Sequence, residues 1–252
     1  MAFEQALPPV EPAPQRSRTP WGYADMAMAI GIAIGAVILV GAPAFVVALI
    51  IAGDFNVLTD NDISMAILIG AAGVVEIALL IIATLFTVRK YNVSWAALGL
   101  CRPRRGGYWF PVPLLFAGTI ILFLYVSIIS AIGIEVEANV SKDLRDSTLR
   151  LTMVGITSLI LAPFIEEVFF RGFLFGGLQG RWGVPRAALG SGLIFGLAHF
   201  AEPSSLAILP AIGMIGALFA WGYYYTGSLY VPIAAHFVWN LFTFIALATG
   251  AT

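Results

Sequence analysis

The sequence predicts an all-α, polytopic transmembrane helix bundle with about seven spans. Three observations predict it. First, 60% of the residues are hydrophobic and 11% charged, with a mean hydropathy of +0.94, whereas a soluble domain is about 45–50% apolar and about 25% charged. Second, apolar runs long enough to cross ~30 Å of hydrocarbon recur at 26–52, 64–87, 109–134, 151–176, 186–201, 205–225 and 230–248. Third, Lys and Arg alternate between connections. The connection 53–63 has none, and 88–107 has Arg89, Lys90, Arg102, Arg104 and Arg105. In 135–150 three are diluted by Glu135, Glu137, Asp143 and Asp146, and Arg171, Arg181 and Arg186 follow. Basic residues favour the cytoplasmic side, so the N-terminus is expected inside and the C-terminus outside, in the plasma (inner) membrane.

The elements follow in order. Residues 1–21 carry Pro8, Pro9, Pro12, Pro14 and Pro20 without an aliphatic pattern, and are expected to form a disordered cytoplasmic tail. Residues 22–252 are expected to form a single transmembrane domain, with its catalytic core at about 150–245. The first run is too long for a signal-peptide core and lacks a convincing cleavage site, so it reads as a retained span. Its Gly31-Ile32-Ala33-Ile34-Gly35, like Gly192-Leu193-Ile194-Phe195-Gly196 in the fifth, predicts close helix packing within the bundle, with dimerisation the lesser alternative. Glu76, alone in the second span, is expected neutral or paired with Arg171. Val93–Leu100 reads as a short interfacial helix. Cys101, the sole cysteine, cannot form an internal disulfide and reads as a free thiol, with palmitoylation the lesser alternative. The fifth run is short, and a merged or re-entrant arrangement of 186–225 is the alternative to two spans. Trp221, Tyr223, Tyr224, Tyr225 and Tyr230 read as an interfacial belt. The net charge of −1 and the absence of a basic face offer nothing to nucleic acid.

Polar groups inside apolar runs carry the functional signal. A charged side chain at the centre of a spanning helix costs ~2.5–3.5 kcal/mol on insertion scales. The only two histidines, His199 and His236, lie in such runs, as do Glu166, Glu167, Arg171 and Asn240. At ~1.5 Å per residue, Glu166 lies ~14 Å in from Phe175, His199 ~18 Å in from Ala187, and His236 and Asn240 ~9 and ~15 Å in from Tyr230. Three helices crossing in opposite senses thus bring these groups to one level. A pore or a transporter could show the same arrangement.

Rotation sorts them further. Residues four apart share a helix face, so Glu167 and Arg171 pair while Glu166 points elsewhere, toward the side of Pro163 and Phe170. A free carboxylate in an apolar pocket suits general-base work. Pro163 removes a helical donor just before the pair. His236 and Asn240 share a face and can aim donors at one oxygen, as an oxyanion site requires. Glu166 and His199 are left to hold and deprotonate a water. Other intramembrane chemistries fit worse. A GxSG serine site would need glycine where Leu189 stands before Ser191, no aspartate lies within spans two to seven, and no HExxH helix is present.

These residues read as EExxxR (Glu166–Arg171), FxxxH (Phe195–His199) and HxxxN (His236–Asn240), in order and in successive apolar helices. They resemble the CPBP family of intramembrane proteases (CAAX proteases and bacteriocin-processing enzymes, also called the Abi family), which includes the Ras-converting CAAX endopeptidase. The resemblance covers about 150–245, and Trp95-Ala96-Ala97-Leu98-Gly99-Leu100 is similar to a short element preceding it in many members. It implies an all-helical membrane core cleaving peptide bonds in a peptide or membrane-protein substrate, lipidated in the eukaryotic branch. By position, Glu166 and His199 would activate water, His236 and Asn240 would stabilise the oxyanion, and Glu167 with Arg171 would support the site. No cofactor is favoured. Zinc or another divalent metal on Glu166, His199 and His236 is the alternative, since Glu and His are also zinc ligands. Two rival functions stand beside the protease: a non-catalytic membrane scaffold or bacteriocin-immunity protein on the same fold, and a proton-coupled transporter. The transporter would be favoured by paired inverted repeats, and none is found.

Overall fold

The computed structural model describes residues 19–134, 147–200 and 206–250. These residues are helical and, among them, contain no strand. Seven helices are numbered here α1 (Tyr23–Ala52), α2 (Asp62–Arg89), α3 (Gly107–Ala131), α4 (Thr148–Trp182), α5 (Val184–Ala198), α6 (Leu209–Thr226) and α7 (Tyr230–Thr249). By length and composition, α1–α4 and α7 can each cross a membrane, and α5 is a shorter apolar helix. The chain is an integral membrane protein. Residues 1–18 of the expected tail, and most of the 135–150 connection, lie outside the described residues.

Local chemistry sets the helix ends. Asn61 caps α2, its side chain accepting from the backbone N–H groups of Ile63 and Ser64, each at 3.0 Å. Pro185 and Pro210 stand in the first turns of α5 and α6, where a missing N–H costs nothing. Gly227 follows α6 at φ 74°, a left-handed stop that glycine adopts without penalty.

The end of the expected tail is core. Trp21 is fully buried, and its indole N–H donates to the Phe173 carbonyl at 2.9 Å. Beside it, Asp25 on α1 binds Lys90 Nζ at 2.5 Å and accepts from the Tyr91 hydroxyl at 2.7 Å. This hydrogen bonding raises both the Lys90 ammonium and the Tyr91 phenol above their ordinary values.

α5 and α6 are two helices, packed antiparallel on their glycines. A Cβ at Gly192 would stand 2.4 Å from the Gly213 carbonyl oxygen, and one at Gly196 2.7 Å from that of Leu209. The small residues thus let two backbones touch. The same expectation fails for α1. Nothing lies within 4 Å of a Cβ at Gly31 or Gly35, so this pair faces outward from the bundle. A lone spacing identifies a smooth face without saying that a neighbour uses it.

Two further expectations change. Of Val93–Leu100 only Trp95–Leu98 forms a helical turn, and Leu98 is fully buried. Gly99 follows at φ 100°, where any Cβ would stand 2.3 Å from the Tyr223 ring. Only glycine fits there. Tyr223 accordingly leaves the expected interfacial belt. It is buried, and its hydroxyl donates to the Leu98 carbonyl at 2.9 Å. Trp221 and Tyr225 are exposed and stack on each other at 5.6 Å, as belt residues do.

Candidate active site

The site is built on α4, α5 and α7. α4 is not a uniform helix. It is π-helical over Ile156–Leu161 and Glu167–Phe175, with an α-helical turn at Ala162–Glu166 between them. Wide turns of this kind occur often at functional sites because they re-aim side chains and free backbone groups. The Ala162 N–H bonds the Thr157 carbonyl, five residues back. In that register the next donor would serve Ser158, but the next residue is Pro163, which has no N–H. The Ser158 carbonyl is taken instead by Asn240 of α7, whose Nδ2 donates to it at 2.8 Å. Pro163 therefore creates the acceptor that holds Asn240. An amide nitrogen has two N–H groups, so the second remains for a ligand.

Glu167 and Arg171 pair, with Nη1 2.9 Å from Oε1 and both side chains fully buried. The guanidinium lies 4.0 Å above the Phe195 ring and donates to the Gly216 carbonyl at 3.4 Å. Glu167 does more than neutralise Arg171, because its Oε1 also meets His236 Nδ1 at 3.0 Å. A carboxylate only accepts, so His236 donates from Nδ1, and its Nε2 is turned to the site. Likewise the His199 Nδ1 meets the Phe195 carbonyl at 2.8 Å, which sets that atom as the donor and leaves Nε2 toward the site.

Both free nitrogens converge on one atom. Glu166 Oε2 lies 4.0 Å from His199 Nε2 and 3.9 Å from His236 Nε2. Glu166 is buried, and Oε2 has no hydrogen-bond partner in the protein. These separations exceed a direct hydrogen bond, yet one bridging water with legs of about 2.8 Å spans them. A cavity of about 170 Å³ opens beside this cluster, lined by His199, His236 and Asn240 and walled by Phe195, Phe219 and Trp239. The structure thus brings His199, His236 and Asn240 around one cavity, with Glu166 within 4.0 Å of both imidazoles and Glu167 and Arg171 behind His236. Ser191 is spent elsewhere, donating to the Phe170 carbonyl at 2.9 Å.

Two contacts were not expected from the sequence. One is the Glu167–His236 bond. The other involves Glu76 on α2, which interacts with Glu166 rather than pairing with Arg171. A single carboxyl in an otherwise apolar span was its only signal.

The metal alternative meets a geometric test. Zinc draws its nitrogen and oxygen ligands to about 2.0–2.2 Å from one point. Among the described residues no group of three or more His, Cys, Asp or Glu is set to do so. No step below is routed through a metal.

Residues 148–242 match the model of a family described as type II CAAX prenyl endopeptidase Rce1-like, so every residue of the cluster except Glu76 falls inside the match. A Bacillus subtilis (strain 168) protein named "Putative membrane peptidase YdiL" is 34% identical over 113 residues, covering 45% of this chain and 45% of that protein. The chain thus spans less than half the length of that relative. No solved structure matches the chain.

Proposed function

We propose, from the match of residues 148–242 to that family model, that this chain is a CAAX-type member of the CPBP family and an intramembrane endopeptidase. The observation that carries the reading is the approach of two imidazole Nε2 atoms to one buried, unpartnered carboxylate oxygen, at 4.0 and 3.9 Å. A water held there by Glu166 and His199 attacks the scissile carbonyl carbon. Its oxygen bonds to carbon, its proton passes to Glu166, and the carbonyl π electrons move onto oxygen. The second Asn240 N–H and His236 Nε2–H meet that oxyanion. The C–N bond then breaks and Glu166 returns its proton to the departing amine. No metal takes part.

For His236 to donate from Nε2 while Nδ1 donates to Glu167, it must hold both protons. Glu167 at 3.0 Å is the counter-charge for that imidazolium. The aromatic wall of Phe195, Phe219 and Trp239 suits a peptide bond beside an apolar or lipid-bearing segment, cleaved in the Lys/Arg-rich, cytoplasmic half of the bilayer.

The test is cleavage by purified protein in lipid nanodiscs, with a quenched-fluorescent farnesylated peptide ending in a CAAX sequence and a non-lipidated apolar peptide as the two probes. Loss of a general base predicts a fall of about 10²–10⁴-fold in Glu166→Gln. Equal cleavage by wild type and variant rules out the assigned base. Full cellular function in Glu166→Ala would instead favour the scaffold reading. Chelators are expected to leave the rate unchanged, and a rate that falls with chelation and returns with zinc would overturn the metal-free step.

A further inference from the structure

We propose that Trp21 is a positioning residue for the proteolytic site, acting through the Phe173 carbonyl of α4 and a run of packed rings that ends on His199 and His236. The catalytic part of this inference rests on the proteolytic reading above. The coupling between Trp21 and the two imidazoles does not.

The strut begins where α4 changes register. The π-helical stretch that opens at Glu167 closes at Phe175, and α-helical turns resume at Gly176. At this junction the Phe173 carbonyl accepts the Gly176 N–H. Its second lone pair takes the Trp21 indole N–H at 2.9 Å. Trp21 has no exposed surface, and α4 is shaped to receive it. A Cβ at Gly177 would stand 3.0 Å from the indole and 2.6 Å from Met26 Sδ, and one at Gly176 3.5 Å from the indole. Glycine is a poor helix former, so the seated ring gives a reason for this pair inside α4. Nine residues is long for a π-helical stretch, and such a stretch needs support from outside the helix. Asn240 holds the earlier one at the Ser158 carbonyl, and Trp21 holds the end of the later one. Trp21 lies outside the matched residues 148–242.

The rings continue inward from there. Phe173 lies 6.3 Å from Trp21 and 5.8 Å from Phe169. Phe169 meets Phe170 at 5.2 Å, and Phe170 meets Phe195 of α5 at 5.1 Å. Phe195 then stands 4.5 Å from the His199 ring and 6.2 Å from that of His236. Each separation is that of an interacting aromatic pair, and the rings from Trp21 to Phe195 are all buried. A close-packed interior transmits a displacement rather than absorbing it. Losing the pin at Phe173 therefore moves the imidazoles that face Glu166.

A neighbouring contact supplies the control. Trp182 donates to the Tyr23 hydroxyl at 2.9 Å, joining the same two segments, but it is exposed and is no part of the ring run. Trp21→Phe keeps a ring in the socket and removes the N–H. In the nanodisc assay with the farnesylated probe, Trp21→Phe should lower kcat about tenfold with KM held within about twofold, and Trp182→Phe should leave both unchanged. A second reading needs no activity. His199 and His236 are the only histidines in the chain, so nuclear magnetic resonance of protein carrying isotope-labelled histidine reads the site alone. Trp21→Phe should shift the ring-nitrogen signals, and Trp182→Phe should not. Wild-type kcat in Trp21→Phe, unmoved signals, or equal shifts in both variants overturns the proposal. Should Trp21→Phe fail to fold, Gly177→Ala, which displaces the indole from its socket, carries the same expectations. If Glu166→Gln cleaves like wild type, the proteolytic reading fails and the histidine signals still decide the coupling. If Glu166→Gln is inactive while Trp21→Phe keeps its kcat, this inference alone fails.

Discussion

At the scale of residues, Glu167 is the hinge of the cluster, touching Arg171 at 2.9 Å and His236 at 3.0 Å. Two consequences separate. Glu167→Ala leaves the fully buried Arg171 without its counter-charge, and breaking such a pair costs about 3–5 kcal/mol. Replacing the pair wholesale, as Glu167→Gln with Arg171→Met, removes the stranded charge and should recover most of that stability. Activity should not recover with it, because His236 has lost the carboxylate that holds its Nδ1 and orients the ring. A fall of about 10–100-fold is expected, the usual cost of losing a residue that orients a reacting group. Thermal unfolding of the detergent-purified variants and cleavage of the farnesylated probe measure the two effects. A double variant that recovers both would reduce Glu167 to a packing role.

At the scale of elements, a proline and a widened helix turn explain why Asn240 stands where it does. Because the Ala162 N–H reaches back to Thr157, Pro163 leaves the Ser158 carbonyl open and Asn240 fills it at 2.8 Å. Pro163→Ala restores a competing donor and should loosen Asn240, lowering kcat by about tenfold. That is less than the ~10²–10³-fold expected for loss of an oxyanion donor in Asn240→Ala. If Pro163→Ala is silent while Asn240→Ala is not, the carbonyl clamp is irrelevant to catalysis. The example also marks what sequence could and could not yield. Four-residue spacing within one helix located the Glu167–Arg171 pair, the outward turn of Glu166 and the role of Pro163 in loosening its helix. It could not give the rotation of one helix against another. That rotation puts Glu76 on Glu166 rather than on Arg171, brings Glu167 to His236, and leaves Gly31 and Gly35 without a neighbour while Gly192 and Gly196 touch α6. Nor does a regular period of 3.6 foresee π-helical stretches, in which faces drift and carbonyls come free.

At the scale of the whole molecule, the tertiary hydrogen bonds test the number of crossings. Each joins segments that seven alternating spans put on the same side. The Arg104 N–H donates to the Thr226 carbonyl at 2.7 Å and the Leu229 N–H to that of Gly99 at 2.8 Å, tying the α2–α3 connection to the α6–α7 connection. Lys90 meets Asp25 at the same end. At the opposite end Arg150 binds Asp62 at 2.6 Å and the Thr59 carbonyl, and the Tyr125 hydroxyl reaches the Ala207 carbonyl at 2.7 Å. A merged α5–α6 hairpin that failed to cross would still return the chain to the side it left. These bonds therefore fix which connections share a face, and the basic residues must fix which face is inside. Arg89, Lys90, Arg102, Arg104 and Arg105 stand at the α2–α3 end, which predicts that end to be cytoplasmic. Cys101 reports on it directly as the only cysteine in the chain, partly exposed there. A membrane-impermeant maleimide should label Cys101 in inverted vesicles and not in right-side-out ones. In a Cys101→Ser background, a thiol introduced by Asn56→Cys, at the exposed turn between α1 and α2, should label with the opposite sidedness. Labelling of both positions from one side would break the alternation itself. Reversal of both would keep the bundle and invert it, moving the proposed cleavage to the other leaflet.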